Sequence, residues 1–176
     1  NYQLTERMVE YRSEHERMLY SLGLAGSAFK KVYYDPILRR QVSIYISAED
    51  VIVPYGASHI DTAERVTHVM RKTKIELTKL QADGFYRDVE LGEPIEYFTD
   101  IEKKKAEEGG YSLSSDDRFA LYEIHAYTTI NGVDDEDDLP KPYVITLVKG
   151  TNQVLAIRRN WDPDEDRKST RLNSSH

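Results

Sequence analysis

Between residues 4 and 22 the apolar and ring-bearing positions step alternately by four and three: Leu4, Met8, Tyr11, His15, Met18 and Leu22. That spacing puts them on one face of a helix, with Thr5, Glu6, Glu10, Ser13, Glu16 and Arg17 elsewhere. Gly23 is the expected stop, because the residue after a helix often adopts the left-handed conformation that glycine tolerates. The stripe spans fewer than three heptads, too few to specify a coiled coil.

The period then changes to two. Phe29 to Tyr34 is rich in aromatic and β-branched residues and reads as a strand, broken at Asp35-Pro36. From Arg40 to Ser47, Val42, Ile44 and Ile46 alternate with Gln41, Ser43 and Tyr45, which predicts a second strand and a hairpin. Val51-Ile52-Val53 is a short apolar run ended by Pro54-Tyr55-Gly56. Arg65 to Arg71 reads as a strand whose faces differ little in polarity. A helix is expected over Lys74 to Asp83, with Ile75, Leu77 and Leu80 inward and Gly84 as the stop. A further helix is expected from Pro94, which suits a first turn. Phe98 and Ile101 would form its apolar face, with Lys103–Glu107 and Lys104–Glu108 as i,i+4 pairs and Gly109-Gly110 as its end. Leu113 to Asp117 reads as a loop, and Phe119 to Ile130 as a long strand. Asn131-Gly132 and the acidic run Asp134 to Asp138 form an exposed connection. Tyr143 to Lys149 and Gln153 to Arg159 pair around Gly150-Thr151-Asn152. The predicted fold class is α+β: a leading amphipathic helix, then a mainly antiparallel β unit with two short helices. No internal repeat and no linker divides it.

Composition narrows the classes. Of 176 residues, 39% are hydrophobic and 31% charged, which permits a real core. Thirteen tyrosines against four Phe and one Trp suit half-buried surfaces, where a ring packs and a hydroxyl stays wet. The chain has no cysteine, which excludes disulfides, Cys-ligated zinc and thiol nucleophiles within it. No apolar run approaches the roughly 20 residues that span a bilayer, and the start lacks a leader pattern. Because the first residue is Asn1, the chain is expected to begin inside a longer reading frame. At the other end, Asp166-Arg167-Lys168-Ser169-Thr170-Arg171-Leu172-Asn173-Ser174-Ser175-His176 resembles translated sequencing-adapter DNA, so residues 1–165 are read as the authentic segment and 166–176 as an artefact. Setting aside that segment's three basic residues and one acidic residue turns 24 basic and 31 acidic residues into 21 and 30, a net charge of −9. An acidic chain repels nucleic acid at long range, which argues against a dedicated DNA-binding module but not against a wall along which DNA slides.

Candidate chemistry is sparse. Gly23-Leu24-Ala25-Gly26-Ser27 with Lys30-Lys31 lacks the glycine spacing and the Gly-Lys pair of a phosphate loop; a helix stop entering a strand is the simpler reading. Asp134, Asp135, Glu136, Asp137 and Asp138 offer oxygen ligands, but without the EF-hand spacing they read as a solvated loop. His15, His59, His68 and His125 are scattered, with no i,i+4 pair, and His15 reads as a packing or interface residue. There is no Gly-x-Ser-x-Gly elbow. Carboxylates are abundant, which alone does not identify a hydrolase. Arg71, Lys72, Lys74 and Lys79 form a basic cluster that either touches phosphates or is a solvated helix face balanced by Glu76.

Five blocks in order carry a resemblance. They are Glu16-Arg17-Met18-Leu19 through Gly23 to Pro36, Ala48 to Gly56, Thr62 to Val69, Leu80 to Val89, and Val154 to Trp161. Together they resemble the large portal, or head-to-tail connector, proteins of short-tailed double-stranded-DNA phages, over nearly everything but the adapter-like tail. The resemblance implies a structural, non-enzymatic subunit of a homo-oligomeric ring, usually a dodecamer, at one capsid vertex of the virion. It further implies assembly in the bacterial cytoplasm with capsid and scaffolding proteins, docking of terminase and later of tail or adaptor proteins, and passage of double-stranded DNA without sequence-specific binding. No membrane is implied. The segment looks like the wing region, upstream of the stem helix and clip. No catalytic, cofactor-binding or metal-binding residue is therefore assigned. The alternatives are another phage capsid or tail structural protein and, from a different class, a carboxylate-dependent hydrolase.

Overall fold

The computed structural model describes residues 8–35, 37–94, 100–110, 117–131 and 140–160. Its elements run α1 (Tyr11–Ala25), β1 (Phe29–Asp35), β2 (Arg40–Ile46), β3 (Val51–Ile52), β4 (Arg65–Thr73), α2 (Lys74–Ala82), α3 (Asp100–Gly109), β5 (Arg118–Thr128), β6 (Lys141–Val148) and β7 (Val154–Arg159), with 3-10 turns at Ala48–Asp50 and Ile60–Thr62. The class is α+β, as expected.

The leading helix is shifted toward the C-terminus relative to its expected span. Residues 1–7, with Leu4, lie outside the described residues. Met8 to Glu10 form a turn closed by Tyr11 N donating to Met8 O (3.0 Å). At the far end Gly23 stays helical, and the stop is Gly26, with φ +73 and its N–H donating to Leu22 O. One left-handed residue ends a helix, and glycine tolerates a helical conformation as well, so a stripe ending at Leu22 does not decide between two nearby glycines. The amphipathic face is only partly realised: Tyr11, His15 and Met18 are half-buried, Leu22 is exposed, and no residue of α1 is fully buried.

β1 and β2 pair as an antiparallel hairpin from Phe29↔Ile46 to Asp35↔Arg40. Asp35 Oδ1 accepts from the N–H groups of Ile37 (2.8 Å) and Leu38 (2.9 Å), the local bonding that makes aspartate a turn residue. Helix α1 covers the outer edge of β2. Glu10 Oε1 accepts from Ser43 N (3.2 Å) and Glu14 Oε2 from Tyr45 N (2.7 Å). Four residues of helix rise about 6 Å and two residues of strand about 6.8 Å, so carboxylates at i and i+4 meet N–H groups at j and j+2. Arg40 Nη1 holds Glu10 in place, 2.8 Å from its Oε2. Lys30 Nζ lies 3.7 Å from the Tyr11 ring centroid and 3.4 Å from His15 Nδ1, and the Tyr11 and His15 rings stack, so His15 packs the helix onto the hairpin.

The second sheet is a meander, β3-β4-β5-β6-β7, with every neighbouring pair antiparallel. α2 is launched from β4 by a capping box: Glu76 N donates to Thr73 Oγ1 (3.3 Å) and Thr73 N to Glu76 Oε2 (2.9 Å). Gly84, at φ +70, lets the chain turn back so that Phe85 N reaches Leu80 O (2.8 Å). Leu77 and Leu80 pack with Tyr86, Leu91, Phe119, Leu121, Val148, Leu155 and Ala156 in one core. Ile75 was expected inward but is 69% exposed. Two residues turn a helix by about 200°, so Ile75 and Leu77 cannot share a face. The β6–β7 turn uses Gly150 (φ +96) and Asn152 (φ +54). α3 begins at Asp100 as described and closes at Gly110 (φ +66). The Phe98 expectation, the connection over 132–139 with its acidic run, and most of the 113–117 loop fall outside the described residues. Among the described residues no helix is long and apolar enough to cross a membrane.

Candidate functional site

The inner face of the five-stranded sheet changes character along its strands. Alternate residues of a strand share a face, so Phe119, Leu121, Glu123 and His125 of β5 line up. The first two are buried with α2 in the core, whereas the next two are polar. On β4, Met70 lies opposite Leu121 and His68 opposite Glu123. Over this polar end sits the β1–β2 hairpin. Between the two lies a cavity of about 300 Å³, lined by Lys31, Tyr33, Asp35 and Ile44 from the hairpin and by His68, Phe85, Tyr86 and Glu123 from the sheet side, among others.

Glu123 is the centre of the cluster. Lys31 Nζ donates to its Oε1, and His125 Nε2 lies 2.9 Å from the same oxygen. The Lys31 and Glu123 side chains are only 20% and 15% exposed. Burial pushes the carboxyl up, but the His125 hydrogen bond and the charge and hydrogen bond of Lys31 outweigh it and hold it at about 2. Glu123 is therefore ionised at neutral pH and a weak base. His68 is pushed down to about 4, first by burial and then by the Lys31 charge, against the opposing pull of Glu123 and Asp50. It is neutral at pH 7, and its Nδ1 is buried with no hydrogen-bond partner. Burial also raises Tyr86 to about 12, helped by the Glu123 charge. Tyr33 is raised by burial and by the Asp35, Glu123 and Glu10 charges.

Formal charge around the cavity balances: Lys31, Arg71 and Lys72 against Asp35, Asp50 and Glu123. Arg71 Nη1 is bonded to Asp50 Oδ1 at 3.0 Å. Arg158 stacks on Phe85, 3.6 Å from the ring centroid, and donates to the Phe85 carbonyl, which pins the loop that carries Tyr86. Among the described residues no three His, Asp or Glu side chains are grouped so as to hold a metal ion. What the arrangement does chemically is tie the hairpin to the sheet through an ion pair and leave one neutral imidazole beside it.

The earlier candidates fare differently. Gly23 to Ala25 complete the last turn of α1, and Gly26 is its left-handed cap. The basic cluster is divided: Arg71 pairs with Asp50, Lys72 lines the cavity, and Lys74 and Lys79 lie exposed on α2. Glu76 is engaged in the capping box with Thr73. His59 lies in the connection before β4, whereas His68 and His125 sit on paired strands. The acidic run of 134–138 lies outside the described residues. Sequence reasoning missed the Lys31–Glu123–His125 cluster. Its visible signal was Glu123 and His125 at i,i+2 within a predicted strand, a spacing that places both on one face. No protein-family model and no curated protein matches this chain.

Proposed function

We propose that the chain is a structural segment of a phage portal subunit, from the wing region of a ring that forms the conduit for genome packaging and ejection. The observation that carries this reading is the apolar surface left open on α1 and the hairpin. Val9, Leu19, Tyr20, Leu24, Val32 and Tyr34 are between 53% and 78% exposed. A 15-residue helix with no buried residue gains little from its own core, and large exposed apolar side chains on such a helix suit packing against neighbouring subunits or the shell. The ordered resemblance of five sequence blocks supports the same reading. On it, terminase, tail or adaptor, capsid and scaffolding proteins are the partners, DNA passes through the ring, and the site of action is the virion.

The carboxylate-dependent hydrolase draws no support from Glu123. A general base works best with a pKa near the operating pH, and this carboxylate is held at about 2 by Lys31 and His125. The test is to recover the source DNA across both ends of the reading frame with adapters trimmed. The portal reading expects the frame to run past Glu165 into a long stem helix and a clip segment. A different continuation, such as a capsid-shell or tail-tube fold, would favour the other phage structural proteins instead.

A further inference from the structure

The hairpin and the five-stranded sheet are packed as two bodies. Val42 and Ile46 are buried on the hairpin face that also carries Ile44, Lys31 and Tyr33, and the continuous core of the sheet contains no residue from either the hairpin or α1. Between them lie the cavity of about 300 Å³ and the Lys31–Glu123 ion pair. The hairpin leads into the sheet through Ser47 and the 3-10 turn Ala48–Asp50, whose Asp50 is anchored to Arg71 on β4. We propose that α1 and the β1–β2 hairpin form a flap that swings about this turn, latched on the sheet by Lys31–Glu123 and released when His68 takes up a proton. The device is independent of the portal reading.

His68 is positioned for that role. It is faced by Lys31, Tyr33 and Asp35 of β1, Asp50 of the turn, Arg71 and Lys72 of its own strand, Glu123 and His125 of β5, and Tyr86 of the loop after α2. From β2 only Ile44 lines the cavity. Glu123 Oε1 is already shared by Lys31 and His125. A proton on His68 therefore adds a cation beside Lys31, and in the closed arrangement its Nδ1 has no acceptor. Opening the flap relieves this by returning the imidazole to water. The cavity already interrupts contact across the seam, so opening loses less packing than separating a fully dry interface, although Val42 and Ile46, on the same face of β2 as Ile44, come into water.

The sign follows from linkage. His68 titrates at about 4 when the flap is closed, against an ordinary 6.5 when released. Closure is at full strength above pH 6.5 and weakens as pH falls from 6.5 toward 4. The closed-to-open ratio then drops roughly 20-fold between pH 7 and 5. Glu123, at about 2 against 4.5, adds to the loss only below pH 4.5.

The chain has no cysteine, so Val32→Cys on β1 and Ile157→Cys on β7 provide two unique, exposed sites for nitroxide labels. Electron-paramagnetic distance measurement should give one short population at pH 7.5. At pH 5 a longer population should appear, with far-UV circular dichroism retained. His68→Gln should suppress that growth, whereas His125→Gln should leave it in place. The proposal is overturned by a distance distribution unchanged from pH 7.5 to 4.5, by the same growth in His68→Gln, or by loss of the dichroism over the same pH range.

Discussion

The residue on which most depends is Glu123, a carboxylate on the inner face of a sheet, where the neighbouring positions on its strand are Leu121 and His125. Its partners make that placement tolerable. Glu123→Gln removes the charge that Lys31 and His125 share and leaves a largely buried ammonium without its counter-ion. The expected cost is about 2 kcal/mol in urea denaturation, between the ~1 of exposed pairs and the ~3–5 of fully buried ones. The carboxyl sits at about 2 in the fold and at 4.5 when unperturbed. Its stabilisation is therefore complete above pH 4.5 and lost as pH falls toward 2. The stability gap between the native chain and Glu123→Gln should stay level from pH 8 to 5, shrink to roughly half by pH 3 and close only near pH 2; an equal gap at pH 7 and pH 3 would contradict the assignment. Little of this cluster was legible in advance. Lys31, His68 and Glu123 come from three strands: the register of β4 on β5 sets His68 opposite Glu123, and the hairpin lying over the sheet brings Lys31 to them. Composition and spacing along the chain do not contain that register.

Among the elements, the sequence was more informative where residue types alternate strictly, even though both faces of β2 are covered and Ser43 is fully buried. Val42, Ile44 and Ile46 against Gln41, Ser43 and Tyr45 located β2, and the turn residues around Asp35 and Gly150 located both hairpins. Thr73 with Glu76 set the start of α2, although the capping box was not read as such. Two assignments failed for local reasons. Gly23 and Gly26 were both available as stops, and Ile75 was grouped with Leu77 despite lying on the opposite side of the helix. That geometry gives a paired prediction. Leu77→Ala, at a fully buried position, should cost about 2–5 kcal/mol, whereas Ile75→Lys should stay within about 0.5 kcal/mol; equal losses in thermal melts would show that the α2 face is misassigned. The cover of β2 by α1 gives another. Removing Glu10 and Glu14 together, both to Ala, leaves Ser43 N and Tyr45 N without their carboxylate acceptors. Amide exchange at those two positions should rise by about tenfold, the equivalent of about 1.4 kcal/mol, while the rest of the hairpin keeps its protection. Unchanged exchange at 43 and 45 would mean that the helix does not protect that edge.

The whole molecule joins a well-packed sheet to a helix–hairpin body with open apolar side chains, across an ion-paired seam. The sheet carries one continuous buried core, from Leu77 to Ala156. α1 packs on β2 yet leaves Leu19, Tyr20 and Leu24 exposed, a surface that the portal reading assigns to contacts with other copies or with the shell. On the portal reading, a chain limited to residues 1–165 should remain small in light scattering, because the stem and clip contacts that such a ring requires would be absent; a stable, monodisperse dodecamer from it would refute that expectation. The most direct measurement is electron microscopy of the product of the complete reading frame, expressed with its natural ends. The portal account predicts closed rings around a central channel, with Leu19, Tyr20 and Leu24 of α1 covered by a neighbouring subunit or facing the shell. A monomer, or a small oligomer without a channel, would contradict it.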